Sequence, residues 1–141
     1  MSACTFFGHR QIHENIEPSL RTAITELIQK ENVSKFYVGC EGQFDSLVKR
    51  TLLNIKNEYP NIEIIAVLAY LDKKYDLLTD SVFPECLERV PPRFAIPKRN
   101  QWMIEHSDFV IAYVRWTYGG SGKAVEYAEK KGKTVINLAS Q

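Results

Sequence analysis

The sequence predicts an α/β fold, a Rossmann-like three-layer α/β/α domain with a parallel sheet of about five strands. Short apolar or β-branched runs alternate with stretches whose apolar residues recur with a period near 3.6. Glycines follow several of the short runs directly, as is common where a strand turns into a helix. Strands that alternate with helices favour right-handed βαβ crossovers, which cover both faces of a parallel sheet.

The first half of the chain contains two strand and helix units and a third strand. A strand is predicted over 3–7 and a helix over 16–28. The run at 35–38 predicts the second strand, and apolar spacing over 47–55 predicts the second helix. Residues 62–71 are nearly all apolar, which is typical of a central strand that is buried on both faces.

The second half is expected to add two more units. A helix from about Pro97 precedes a strand over 108–114. Ser121 is expected to cap the next helix, Gly132 to end it, and 134–138 to form the fifth strand. The segment 72–96 has no clear period, so it is either a lid or a short helix packed through Leu77, Leu78 and Val82.

Composition limits the class of protein. With 141 residues, 45% of them hydrophobic, residues 1–141 are expected to form one domain. The formal charge of +1 argues against general binding of nucleic acid, because few phosphates could be neutralised. No apolar run is long enough to span a membrane and no signal sequence is seen, so we expect a cytoplasmic protein. The three cysteines lack zinc-site spacing, and neither a metal nor a cofactor is expected.

Two loops that follow predicted strands contain candidate ligand-binding residues. Gly8 permits close approach of a ligand, and Arg10 could hold a phosphate; the alternative is a plain turn with a solvated arginine. In the second loop, Gly39 and Gly42 bracket Glu41, whose carboxylate would suit a ribose hydroxyl. A glycine-rich turn in which Asp45 favours the helix N-terminus explains the same residues, and His9 is more often a structural residue than an acid or base.

A third loop has the strongest composition for binding an anion. It contains three glycines and a serine before a helix, which leaves backbone N–H groups uncovered at a positive helix end. The loop matches neither a Walker A motif nor a Gly-x-Gly-x-x-Gly motif. Its aromatic residues could stack on a base or pack on a neighbouring loop. The candidate ligand-binding residues here are Trp116, Tyr118, Gly119, Gly120, Ser121, Gly122 and Lys123.

Glu126 is expected to lie away from the core. At 100° per residue it falls opposite the apolar side of its helix, together with Lys123 and Lys130. An ion pair between Glu126 and Lys130 would account for this solvent-facing position. A functional role for Glu126 would require a ligand or another subunit to cover that face.

Several motifs together resemble those of the Lonely Guy (LOG) family. They are Arg99-Asn100-Gln101-Trp102-Met103, then an apolar strand, then Gly119-Gly120-Ser121-Gly122-Lys123-Ala124-Val125-Glu126. With Gly-His-Arg after the first strand and Gly-x-Glu-Gly-x-Phe-Asp after the second, the chain resembles a small bacterial and phage branch of the wider SLOG superfamily.

The resemblance implies specific roles and partners. LOG enzymes are Rossmann-like homodimers that hydrolyse the N-glycosidic bond of nucleoside 5′-monophosphates. By this similarity Arg99 and Glu126 would be catalytic, and Gly119, Gly120 and Gly122 would form a phosphate loop. Asn100 and Lys123 stand where LOG enzymes have lysine and threonine, whereas a SLOG protein that only binds nucleotide-derived ligands needs no transition-state geometry.

The sequence therefore leads to three functional hypotheses. The first is a protein that binds a nucleotide-derived small molecule at the carboxyl edge of the sheet, without nucleic acid or membrane partners and as a homodimer. The second is a LOG-type N-glycoside hydrolase that uses Arg99 and Glu126. The third is a protein-interaction module with a vestigial pocket, in which altering Gly120 would leave function intact.

Overall fold

In a computed structural model, which describes residues 2–71 and 79–139, six parallel strands form one sheet. The strands are β1 (Ser2–Gly8), β2 (Val33–Val38), β3 (Glu63–Val67), β4 (Asp80–Val82), β5 (Phe109–Tyr113) and β6 (Thr134–Asn137). Their order in the sheet is β4-β3-β2-β1-β5-β6, and all five neighbouring pairs are parallel. The order reverses between β1 and β5, and this is where open parallel sheets place their ligand sites.

Four helices cover the two faces of this sheet and confirm the three-layer α/β/α class. They are α1 (Glu17–Glu31), α2 (Gly42–Ile55), α3 (Pro92–Glu105) and α4 (Gly120–Lys130), with a short 3-10 helix at Glu85–Leu87. None of the helices in the described part is long and apolar enough to cross a membrane.

Alternating residues of β1 supply both halves of the core. Cys4 and Phe6 pack on the side of α1 and α2, whereas Ala3 and Phe7 pack on the side of α3 and α4. The first half is the larger and includes the fully buried Phe36. Both faces of β1 are therefore inaccessible to water, and its carboxyl end is fixed between two packed layers.

Three expectations about the elements are corrected. The sheet has six strands rather than about five, because Asp80–Val82 adds a short edge strand beside β3. Helix α3 begins at Pro92 rather than at about Pro97, because proline is favoured in the first helical turn. Pro97 lies inside the helix. Val82 lies in that edge strand and not in a packed helix, while Leu77 and Leu78 lie outside the described residues.

Candidate functional site

A cavity of about 410 Å³ opens at the carboxyl ends of β1, β2 and β5. This volume lies within the range of roughly 300–1,000 Å³ that small-molecule sites usually occupy. Its lining brings together ten of the residues singled out in the sequence. They are Gly8, Arg10, Gly39, Glu41, Arg99, Trp116, Tyr118, Gly119, Gly120 and Ser121.

One wall of the cavity is a stack of three aromatic rings. The centroids of His9 and Trp116 lie 3.9 Å apart at an interplanar angle of 15°. Tyr118 continues the stack at 5.6 Å from Trp116, and its side chain is 70% exposed. Trp116 thus packs on the neighbouring loop, which was one of the two alternatives, while Tyr118 keeps a free ring face.

His9 is held by the loop that follows β5. The Arg115 backbone N–H donates to His9 Nε2 at 2.8 Å, and the His9 backbone N–H donates to the Tyr113 carbonyl at 3.2 Å. Burial lowers the pKa of His9, and the charges of Arg115 and His13 lower it further. The ring is therefore neutral near pH 7. Its Nε2 can then accept the hydrogen bond from Arg115, and its face supports the Trp116 ring.

The N-terminus of α4 forms the opposite wall. Gly119 has a φ of 89°, a conformation that side-chain-bearing residues rarely adopt, and it turns the chain into the helix. Within the described chain, the backbone N–H groups of Gly120 and Ser121 donate to no acceptor. Both residues line the cavity, so two amides at a positive helix end remain free for a negative group.

The expected role of Ser121 as the helix cap is wrong. The residue that precedes the helix is Gly119, and no side chain caps it. The Ser121 hydroxyl instead donates to the Gly8 carbonyl at 2.7 Å. This bond fastens the N-terminus of α4 to the end of β1, and the Gln43 amide similarly fastens the next loop by donating to the Arg10 carbonyl at 2.8 Å.

The floor of the cavity contains a buried ion pair. Arg99 from α3 is 4% exposed and its Nη1 lies 2.9 Å from Glu41 Oε1. The same Nη1 donates to the Val67 carbonyl at 3.2 Å, and Nε donates to Asn100 Oδ1 at 3.0 Å. Arg99 therefore links α3 to the ends of β2 and β3, and its Nε and Nη1 atoms are engaged by the protein itself.

Two carboxyl oxygens on this floor are unusual. Glu41 Oε2 is buried and accepts no hydrogen bond in the described chain. Asp45 lines the same cavity, and its Oδ2 accepts the Glu41 backbone N–H at 2.9 Å. Burial raises the pKa of Asp45 from 3.8 to about 7, against the opposing effects of that hydrogen bond and of Arg99.

This raised pKa predicts a pH-dependent stability. Between about pH 4 and 7 the unfolded chain loses the Asp45 proton while the folded chain keeps it. The free energy of unfolding should then fall as pH rises, by up to about 1.4 kcal/mol per pH unit, and level off above pH 7. Urea unfolding from pH 4 to 8 should show this slope in the wild type and lose it in Asp45→Asn. Asp80→Asn, at an exposed carboxyl, is the control, and an unchanged slope in Asp45→Asn would contradict the prediction.

Four predicted site residues lie outside this cavity. Gly42 lies against the Arg10 backbone, and Gly122 is buried so closely against the Thr117 carbonyl that a Cβ would not fit there. Lys123 and Glu126 line a second cavity of about 340 Å³ between α3 and α4. Arg99 and Glu126, the expected catalytic pair, therefore line different cavities. Arg99 lines the cavity at the carboxyl edge of the sheet, and Glu126 lines the one between α3 and α4.

The face of Glu126 agrees with the sequence analysis in part. Glu126 is exposed, as expected from its position opposite the core. No ion pair within 4 Å joins it to Lys130, although both residues are described. The ion pair that was expected to account for Glu126 is therefore not formed.

Sequence reasoning missed several cavity residues. Asp45 lies in the first turn of α2 and His9 has a structural role, both as expected, but both also line the cavity, which was not expected. Asn100 was noted only as a departure from a motif, and Met103 only as part of one. Asp45 follows Glu41 by four residues, about one helical turn, and this spacing could have indicated that both side chains reach the same cavity. The spacing of apolar residues in α3 does not show which of its sides faces the sheet.

Comparison with known proteins establishes the fold more firmly than the sequence does. No protein-family model matches the chain, and no curated protein matches its sequence. Its structure is similar to DNA processing protein A (DprA) of Streptococcus pneumoniae, with a TM-score of 0.68 and 21% identity over 96% of this chain. It is also similar to DprA of Helicobacter pylori, described for its single-stranded DNA binding mode, with a TM-score of 0.70 and 19% identity over 99% of this chain. This chain spans 50% of the first protein and 66% of the second, and at these identities the likeness shows the Rossmann-like fold.

These neighbours correct two expectations. A small nucleotide-derived ligand was expected and nucleic acid was excluded on net charge, but one protein of this fold is described as binding single-stranded DNA. The exclusion was wrong because single strands are held partly by stacking on aromatic rings, which needs little net positive charge. Neither neighbour supports the hydrolase activity or the homodimer that the LOG resemblance implied.

Proposed function

We propose that this chain binds single-stranded nucleic acid, DNA in the first place, across the cavity at the carboxyl edge of the sheet. The observation that carries the proposal is the juxtaposition of the His9–Trp116–Tyr118 stack with the free amides of Gly120 and Ser121 in one cavity. An aromatic ring binds the face of an unpaired base, and free amides at a helix N-terminus bind a phosphate. The similarity to the Helicobacter pylori protein supports the same class of ligand.

The charges of the site fit a contact with few phosphates. Arg10 is exposed at the rim, and within the described residues its side chain is in no ion pair. Arg99 is committed to Glu41, and Arg115 pairs with Glu14, so neither adds a free cation. A formal charge of +1 is compatible with this arrangement, because stacking rather than charge neutralisation provides most of the affinity.

A base must leave a duplex before it can reach the cavity. The aromatic wall and the free amides line the same cavity, and a base that is paired and stacked in a duplex has neither its ring face nor its Watson–Crick edge free to enter it. We therefore expect double-stranded DNA to bind much more weakly than a single strand of the same sequence.

The direct test is fluorescence anisotropy of a labelled single strand of mixed sequence, titrated with the full chain and compared with its duplex. We expect saturable binding of the single strand at least about tenfold tighter than that of the duplex, with a salt slope near −0.7 for each phosphate neutralised. Gly120→Val should weaken binding without loss of folding, because a Cβ at Gly120 meets nothing within 4 Å and would project beside the free amides. Thr22→Val, on the exposed part of α1, is the control. Equal affinity for single strand and duplex, or no binding of either, would overturn the proposal.

The same proposal includes the lineage and extent of the chain. We propose that residues 1–141 form one Rossmann-like domain related to the SLOG superfamily. Support comes from the glycine motifs that begin at Gly8, Gly39 and Gly119, which reach the same cavity. A cytoplasmic location stays a prediction from the sequence.

A further inference from the structure

The floor of the cavity presents an unusual set of hydrogen-bonding groups to whatever enters it. Glu41 has a side chain that is 9% exposed, with Oε1 paired to Arg99 and Oε2 left without a partner. A buried carboxylate oxygen normally has a hydrogen-bond donor nearby. Since Glu41 lines the cavity, a ligand can supply the missing donor.

Two further groups on the floor extend this pattern. Asp45 uses Oδ2 to accept the Glu41 amide, and no hydrogen bond in the described chain engages its Oδ1. Arg99 uses Nε and Nη1 for Asn100, Val67 and Glu41, while its Nη2 donates to no acceptor among the described residues. Above about pH 7, where the folded chain has released the Asp45 proton, the floor therefore offers acceptors from two carboxyl groups and donors from one guanidinium.

We infer that the cavity selects guanine, with Glu41 and Asp45 as acceptors and Arg99 Nη2 as donor for its Watson–Crick edge. The inference rests on the proposed binding of single strands. Guanine carries N1–H and the N2 amino group as neighbouring donors and O6 as an acceptor beside them. The three groups of the floor match this set in kind and number.

The other bases fit the floor less well. Adenine and cytosine each place a ring acceptor next to their amino donor, and that acceptor would face a carboxyl oxygen. Thymine has a single donor between two acceptors. Unpaired bases that leave a strand are commonly distinguished by hydrogen bonds on this edge, so a guanine preference is the expected result.

The test compares oligothymidylates of equal length that carry one central dG, deoxyinosine (called inosine below), dA, dC or dT, by competition at pH 8 against a labelled strand with the full chain. The dG strand should bind about tenfold more tightly than the dT strand, as one good pair of base contacts provides. Inosine lacks only the N2 amino group and should lose most of that gain. This comparison changes the ligand and not the protein, so it does not depend on the folding of a variant.

Variants of the protein provide the second arm. Glu41→Gln replaces one acceptor oxygen by an amide donor and should abolish the preference for dG over inosine. Glu129→Gln, at an exposed carboxyl on α4, should keep the preference, and thermal unfolding of both variants shows that they fold. Equal binding of dG, inosine and dT strands would overturn the guanine inference while leaving single-strand binding intact. Failure of every strand to bind would overturn both.

Discussion

Replacing Arg99 with methionine should destabilise the fold by about 3–5 kcal/mol, because it leaves the carboxylate of Glu41 buried without its partner. The substitution also removes the donors to the Val67 carbonyl and to Asn100. These contacts join α3 to the ends of β2 and β3. The loss should therefore exceed that of an ordinary surface ion pair, which is roughly 0–1 kcal/mol.

Urea unfolding at pH 7.5 measures this effect. Arg93→Met provides a matched control in the first turn of the same helix, where the side chain is exposed and the change should stay within about 0.5 kcal/mol. Adding Glu41→Gln to Arg99→Met should restore part of the stability, since the unpaired charge is removed. If Arg99→Met costs no more than Arg93→Met, the pair does not hold the floor of the cavity together.

Removing the exposed ring of Tyr118 should have the largest effect on binding. Tyr118→Ala is expected to weaken single-strand binding by about 1–3 kcal/mol, roughly five- to 150-fold, because its free ring face is the outer platform for a base. Tyr118→Phe retains the ring and should bind nearly as well as the wild type. Stability should change little in either variant, since the side chain is 70% exposed.

A matched control separates stacking in the cavity from general exposure of aromatic surface. Phe94 is 51% exposed at the start of α3 and lines neither of the two cavities described above. Phe94→Ala should leave the anisotropy titration unchanged. Equal losses in Phe94→Ala and Tyr118→Ala would mean that binding does not use the aromatic stack.

The alternation of strands and helices was predictable because each is encoded locally. Buried parallel strands such as β5 are continuous apolar runs, and helices such as α2 show a 3.6-residue spacing. The edge strand β4 was not predictable, since Asp80–Val82 has only three residues and two of them are exposed and polar. Its pairing with β3 is a long-range contact that leaves no period in the sequence.

The position of the candidate site in the fold was predictable, but the contacts between its side chains were not. Parallel strands bring their carboxyl ends to one edge, so loops containing Gly8, Glu41 and Gly120 had to meet. The pairing of Arg99 with Glu41 depends on how α3 is rotated against the sheet, and residues 58 positions apart reveal nothing of that rotation by spacing. The motif likeness placed Arg99 and Glu126 in one reaction, whereas packing directs them into separate cavities.

Hydrogen bonds join the loops that form the rim of the cavity. The bonds from Ser121 to Gly8, from Arg115 to His9 and from Gln43 to Arg10 join the loops after β1, β2 and β5. A ligand therefore meets loops whose conformational entropy has already been lost during folding, and little remains to be lost on association. Removing any one of these hydrogen bonds should raise the dissociation rate of the ligand far more than it lowers its association rate.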